Sequence, residues 1–153
     1  MIFLTMKVAL MVAAGKGQRM GGDKLWLELD GLPVVAHTWR HLDQAASVDQ
    51  VVLVVRNESR ASFEALGGRL GLRKPYTFAD GGAERQDSVW AGLQACPSDT
   101  QWVAIQDAAR PCTPVPSSMP ASRQLNDTAQ WSPLTGLPIP SSAWMMAIGL
   151  KRR

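Results

Sequence analysis

Only two cysteines occur in the chain, Cys96 and Cys112, and neither falls in a metal-binding or disulfide pattern. That scarcity speaks against a disulfide-stapled secreted domain and for a reducing, cytoplasmic setting. No run approaches the roughly 18 apolar residues that a membrane span requires. The amino terminus lacks a basic segment followed by a long apolar stretch and a cleavage site, so it does not read as a secretory leader. Excess charge is missing as well. Residues 1–114 carry 12 Lys+Arg and 12 Asp+Glu, and the whole net charge of +3 arises after them, from Arg123, Lys151, Arg152 and Arg153 against Asp127. A basic face for nucleic acid is therefore not supported.

What is present is concentrated near the start. The apolar run Val8–Val12 empties into Ala-Ala-Gly-Lys-Gly-Gln-Arg-Met-Gly-Gly-Asp-Lys, residues 13–24, with four glycines and three cations. Glycines let backbone N–H groups approach oxyanions, and Arg19 and Lys24 can neutralise phosphate charge. This is not a Walker loop, because Leu25 follows Lys24 where a hydroxyl would be needed for a metal. Nor is it a dinucleotide fingerprint, because Met20 stands at the third glycine position. A plain tight turn is the alternative; the strand before it and the cations within it favour phosphate.

The chain up to about residue 114 alternates strand and helix. Strands are expected at Met6–Val12, Val51–Val55, Tyr76–Ala79 and Trp102–Ile105. Helices are expected at Pro33–Ala46, with Val35, Trp39 and Leu42 on one face, at Ser59–Leu66, and at Glu84–Ala95. The unbroken β-branched run at Val51–Val55 marks a parallel strand covered on both faces. Such alternation implies an α/β fold, a Rossmann-like, doubly wound, mostly parallel sheet. Ligands of these sheets bind at the carboxyl ends of the strands. The Gly-rich loop, the Gly81–Gly82 turn and Asp107 should meet there, as a mononucleotide site. Trp26 and Trp39 read as core or interface residues. His37 and His41, four apart on a helix with no third ligand, read as helix-surface histidines rather than a metal pair.

Three segments, 13–20 with Lys24, Gly-Gly-Ala-Glu-Arg-Gln-Asp-Ser-Val at 81–89, and Asp-Ala-Ala-Arg-Pro-Cys at 107–112, closely resemble the 2-C-methyl-D-erythritol 4-phosphate cytidylyltransferases of the non-mevalonate isoprenoid pathway. The resemblance covers about residues 6–114, the N-terminal half of a family member, and implies a nucleotide-diphospho-sugar transferase type of sheet. It implies transfer of CMP from CTP to the sugar phosphate with release of pyrophosphate. It gives Arg19 and Lys24 the catalytic role of charge stabilisation, with solvated loop cations as the alternative. It assigns nucleotide binding to Ala13, Ala14, Gly15, Gly81, Gly82, Ser88 and Ala108. Ser88 can equally be a helix-side hydroxyl packed in place. Asp107 would hold Mg²⁺ between phosphates, a role one hard oxygen ligand suits, or else cap a helix. Arg110 would bind the phosphate of the acceptor sugar, or form a structural ion pair. Arg85 and Asp87 either join the site or pair and cap within their helix.

Departures from the family pattern are also visible. The Gly-Gly-Asp before Lys24 is short, and Gln106 stands where a histidine commonly precedes the aspartate. Residues 111–140 hold seven of the ten prolines, and 115–150 carry only Arg123 and Asp127 as charges. No fold is derivable for 115–153, an atypical Pro-rich tail. It is expected to come from a shifted or truncated reading frame, which translation of the other two frames tests. The acceptor motifs and the arm that builds a family-type homodimer are not recognisable there. A sheet stopped after its fourth strand is expected to leave an edge exposed. Transfer to another alditol phosphate such as ribitol 5-phosphate, and a nucleotide-binding remnant without turnover, are the competing functions.

Overall fold

A computed structural model describes residues 6–15 and 23–112, together with the backbone of Met146–Gly149. The elements run β1 (Met6–Val12), β2 (Glu28–Leu29), β3 (Leu32–Pro33), α1 (Val34–Gln44), β4 (Gln50–Val55), α2 (Arg60–Leu70), β5 (Tyr76–Asp80), α3 (Arg85–Gln94), β6 (Thr100–Asp107) and β7 (Met146–Gly149). The main sheet has the order β5-β4-β1-β6-β7, with β5, β4, β1 and β6 parallel and β7 antiparallel to β6.

The alternation of side chains along β1 and β4 divides the core. Ala9, Met11, Val51, Leu53 and Val55 face α1 and α2, where Trp39, Leu42, Phe63 and Leu66 close the layer. Val8, Leu10, Val52 and Val54 point to the other face, toward Val89 of α3. Every residue of β4 is buried, as the β-branched run predicts. Trp39 is a core residue, edge-on to Tyr76 at 5.0 Å between ring centroids, and Trp26 meets Phe63 at 5.2 Å.

Three local features differ from the sequence expectation. Helix α2 runs on through Gly67 and Gly68 to Leu70. At Gly67 an added Cβ would come within 2.9 Å of the Trp39 ring, so the missing side chain lets α2 close on that aromatic layer. Glu28–Leu29 and Leu32–Pro33 pair as a small hairpin around Asp30 and Gly31, both at positive φ. An Asp-Gly pair between two leucines is a hairpin signal that the strand–helix reading passed over. Finally, β7 lines the outer edge of β6, with Trp102 to Ile105 opposite Gly149 to Met146. Residues of the tail thus pair the β6 edge, and β5 is the other outer strand of the sheet.

Candidate active site

The sheet order fixes where the chain must open. From β1 the connections run outward through β4 to β5, then return across the sheet to β6. The crevice between diverging connections thus lies beyond the carboxyl ends of β1 and β6. A cavity of about 210 Å³ occupies that edge, lined by Val12, Ala14, Gly15, Arg56, Gly82, Ala83, Glu84, Arg85, Ser88 and Asp107.

Each wall is built by backbone pairing at a strand end. Ala13 N–H donates to the Val54 carbonyl at 2.8 Å, and Gly81 N–H donates to the Val55 carbonyl at 2.8 Å. These bonds bring Ala14 and Gly81 together, and only a glycine fits at 81. A Cβ there would stand 2.2 Å from the Ala14 Cβ and 3.3 Å from the Ser88 hydroxyl. Ser88 is buried, and its hydroxyl donates to the Glu84 carbonyl at 3.0 Å while accepting from Gly82 N–H at 3.1 Å. It lines the cavity and also pins the glycine turn. Asp87 and Glu84 form a reciprocal capping box at the start of α3, with Glu84 N–H on the Asp87 carboxylate at 3.0 Å. Asp87 therefore caps its own helix, whereas Arg85 reaches out of it.

Asp107 ends β6 with its carboxylate between two guanidiniums. Oδ1 accepts from Arg85 Nε at 3.2 Å and Nη2 at 3.0 Å, and Oδ2 lies 3.3 Å from Arg110 Nε. The turn that follows is held from beneath. Buried Gln106 extends its amide toward the Asp107 carbonyl at 3.3 Å and the Arg110 carbonyl at 3.5 Å. Buried Thr38 of α1 donates to the Ala108 carbonyl at 2.8 Å, and Ala108 N–H bonds the Val12 carbonyl at 3.0 Å. Ala108 thus sits behind the cavity wall, with both backbone polar groups engaged inside the protein.

Of the residues singled out from the sequence, Ala14, Gly15, Gly82, Ser88 and Asp107 line one cavity. Ala13 and Gly81 back it, and Arg110 reaches it through Asp107. Lys24 opens a single helical turn, Lys24–Trp26, capped by the Asp23 carboxylate. It is absent from the cavity lining, but its neighbour Asp23 pairs with cavity-lining Arg56 at 3.6 Å. Arg19 lies outside the described residues. Arg56 is the residue that sequence reading missed. It follows the apolar run of β4, pairs also with Glu58 at 3.3 Å, and keeps its Nε buried without a partner among the described residues. A cation at the carboxyl end of an inner parallel strand was the available signal. His37 binds the Leu29 carbonyl of the hairpin at 2.7 Å.

Among the described residues no group of three His, Cys, Asp or Glu side chains is placed to hold a metal ion. No helix among them is long and apolar enough to cross a membrane. Of the two carboxylates that line the cavity, Glu84 is engaged in the cap of α3, and the remaining donor is Asp107. It suits a hard cation that takes its remaining ligands from water and phosphate.

The family model for 2-C-methyl-D-erythritol 4-phosphate cytidylyltransferase matches residues 7–139, reaching past the 6–114 stretch that carries the motifs. A protein of that description from Synechococcus elongatus is 44% identical over 110 residues, covering 71% of this chain and 47% of the relative. One from Bacillus cytotoxicus is 38% identical over 108 residues, covering 69% and 47%. The chain thus spans about half the length of the curated relatives it matches. The crystal structure of 4-diphosphocytidyl-2C-methyl-D-erythritol synthase from Anaerococcus prevotii superposes with a TM-score of 0.62 at 22% identity, over 71% of this chain and 46% of that one. A Mycobacterium tuberculosis protein solved in complex with manganese gives 0.52 at 15% identity, over 71% and 53%. At these identities the two structures speak for the fold alone. With the family match running from β1 through the glycine turn to Asp107 and beyond, the chain belongs to the 2-C-methyl-D-erythritol 4-phosphate cytidylyltransferase family.

Proposed function

We propose that this chain carries the nucleotide-binding half of a cytidylyltransferase that moves CMP from CTP onto 2-C-methyl-D-erythritol 4-phosphate, releasing pyrophosphate. The observation that carries the reading is the convergence of the β1 exit, the Gly81–Gly82 turn and Asp107 on one cavity at the switch point of the sheet. In the reaction a phosphate oxygen of the acceptor attacks the α-phosphorus, and the bond to pyrophosphate breaks. Negative charge builds on the non-bridging oxygens, so fixed cations aimed at them supply most of the acceleration.

In this reading the nucleoside lies against Ala13, Ala14 and Gly15 on one side and Gly81, Gly82 and Ser88 on the other. Ala108 braces the wall from behind. Arg19 and Lys24 stabilise the charge at phosphorus. Arg110 holds the acceptor phosphate. Asp107 holds a divalent cation, magnesium, which when bound neutralises phosphate oxygens. The reading also places the reaction in the cytoplasm, with a second copy of the chain as partner.

The test is pyrophosphate release by the whole chain with CTP and magnesium, given 2-C-methyl-D-erythritol 4-phosphate or ribitol 5-phosphate. Release with the first acceptor supports the assignment, and release only with the second moves it to another alditol phosphate. CTP binding by calorimetry without release from either assigns a nucleotide-binding unit without turnover. Sedimentation of the chain tests the homodimer.

A further inference from the structure

The Asp107 carboxylate has both oxygens committed to cations of the protein itself. Arg85 turns two nitrogens onto Oδ1, and Arg110 turns one onto Oδ2. The two arginines are not held alike. Arg110 lies three residues along the same turn, with its side chain 35% exposed. Arg85 is the first residue of α3 and its side chain is 56% exposed. Asp107 is the only partner of the Arg85 guanidinium among the described residues. A long, exposed side chain with a single anchor can change partners without disturbing the core.

A divalent cation on Oδ1 would need the lone pairs that Arg85 holds and would stand a few ångströms from its positive charge. A triphosphate offers that guanidinium a better partner, since phosphate oxygens match its planar fork and carry more charge than one carboxylate. We propose that Arg85 is a partner-switching ligand residue, bound to Asp107 in the empty site and to nucleotide phosphate in the filled one. Nucleotide entry then frees Asp107 for the cation, so the two ligands bind cooperatively. By linkage, each tightens the other by the same factor. This rests on the cytidylyltransferase reading for the identity of the nucleotide, while the competition at Asp107 stands on the geometry alone.

The experiment uses the full chain and manganese as the probe, with free Mn²⁺ followed by electron paramagnetic resonance and no nucleotide present. Arg85→Gln should bind Mn²⁺ about two- to fivefold more tightly than wild type, the scale of one part-exposed ion pair. Arg85→Lys, which keeps the charge and loses the fork, should fall between them. Asp107→Asn should abolish the site. In EDTA, calorimetry should show Arg85→Gln weakening CTP binding and Asp107→Asn strengthening it, because that change releases Arg85. Circular dichroism checks that each variant is folded. Unchanged or weaker Mn²⁺ affinity in Arg85→Gln overturns the competition. Unaltered metal-free CTP affinity in that variant overturns the switch to phosphate. If wild type binds no CTP while the manganese difference persists, the cytidylyltransferase reading fails and the Arg85–cation competition survives.

Discussion

Gly81 rides over Ala14 so closely that an added Cβ would stand 2.2 Å from the Ala14 Cβ. The contact joins the end of β5 to the exit of β1, two strands separated by β4 in the sheet. Their closure forms one wall of the cavity. Gly81→Ala should therefore push the two strand ends apart. We expect a stability loss of about 1–3 kcal/mol from overpacking and CTP affinity lowered at least about tenfold. Thermal melts and calorimetry measure the two. Ala14→Gly placed in the same chain should restore part of both, and failure to do so would locate the damage elsewhere.

Lys24 makes no ion pair among the described residues and stands on a turn whose cap is the Asp23 carboxylate. A lysine left uncommitted at that position can serve a ligand. Lys24→Met should lower kcat by about 10²–10³-fold, the cost of one lost charge-stabilising donor. Steady-state pyrophosphate release reads this, and a fall of less than about threefold would remove Lys24 from the chemistry.

The Asp23–Arg56 pair, at 3.6 Å with side chains 31% and 28% exposed, ties the Lys24 turn to the end of β4. Its thermodynamic worth should be small. A double-mutant cycle with Asp23→Asn and Arg56→Gln should give a coupling below about 1 kcal/mol in urea unfolding, vanishing near 1 M salt. Its effect on function should be larger in KM than in kcat, because the pair holds the turn near the cavity. A coupling that persists in high salt would mean that the pair is more deeply desolvated than its exposure indicates.

Far from the site, the Lys74 ammonium donates to the carbonyls of Leu42, Asp43 and Ala45 at the end of α1. The Asp43 carboxylate in turn accepts from the backbone N–H of Arg73 and Lys74. Burial pushes the Lys74 pKa below its ordinary 10.5, against the pull of Asp43 and Asp49. The unfolded chain then holds this proton to higher pH than the folded one. Between the lowered value and 10.5, stability contributed at Lys74 should rise with pH. Lys74→Met should remove that slope in alkaline urea titrations. It should also cost about 1–3 kcal/mol near neutrality through the carbonyls left unpaired.

The strands and helices were legible because their signals are local. Val51–Val55 announces a doubly covered strand whatever surrounds it, and Val35, Trp39 and Leu42 mark one face of α1 by spacing alone. The glycine-rich exit from β1 and the Gly81–Gly82 turn could be placed on one edge from the strand–helix alternation. The helix expected to end at Leu66 continues through Gly67 and Gly68, because the missing side chain at Gly67 lets α2 close on Trp39. The Asp30–Gly31 hairpin was overlooked because two-residue strands leave almost no periodic trace.

The amino-acid order alone determined the parallel α/β architecture, the edge that holds the crevice and the family, since hydrophobic period, turn chemistry and short motifs all act within a few residues. Only the folded chain decided that Arg85 and Arg110 share Asp107, that Arg56 enters the cavity and that β7 covers β6. Apart from Arg110, which stands three residues from Asp107 on one turn, those pairings join residues far apart in the chain. Strand order and register bring them together, and no local pattern records which charged side chain will find which partner.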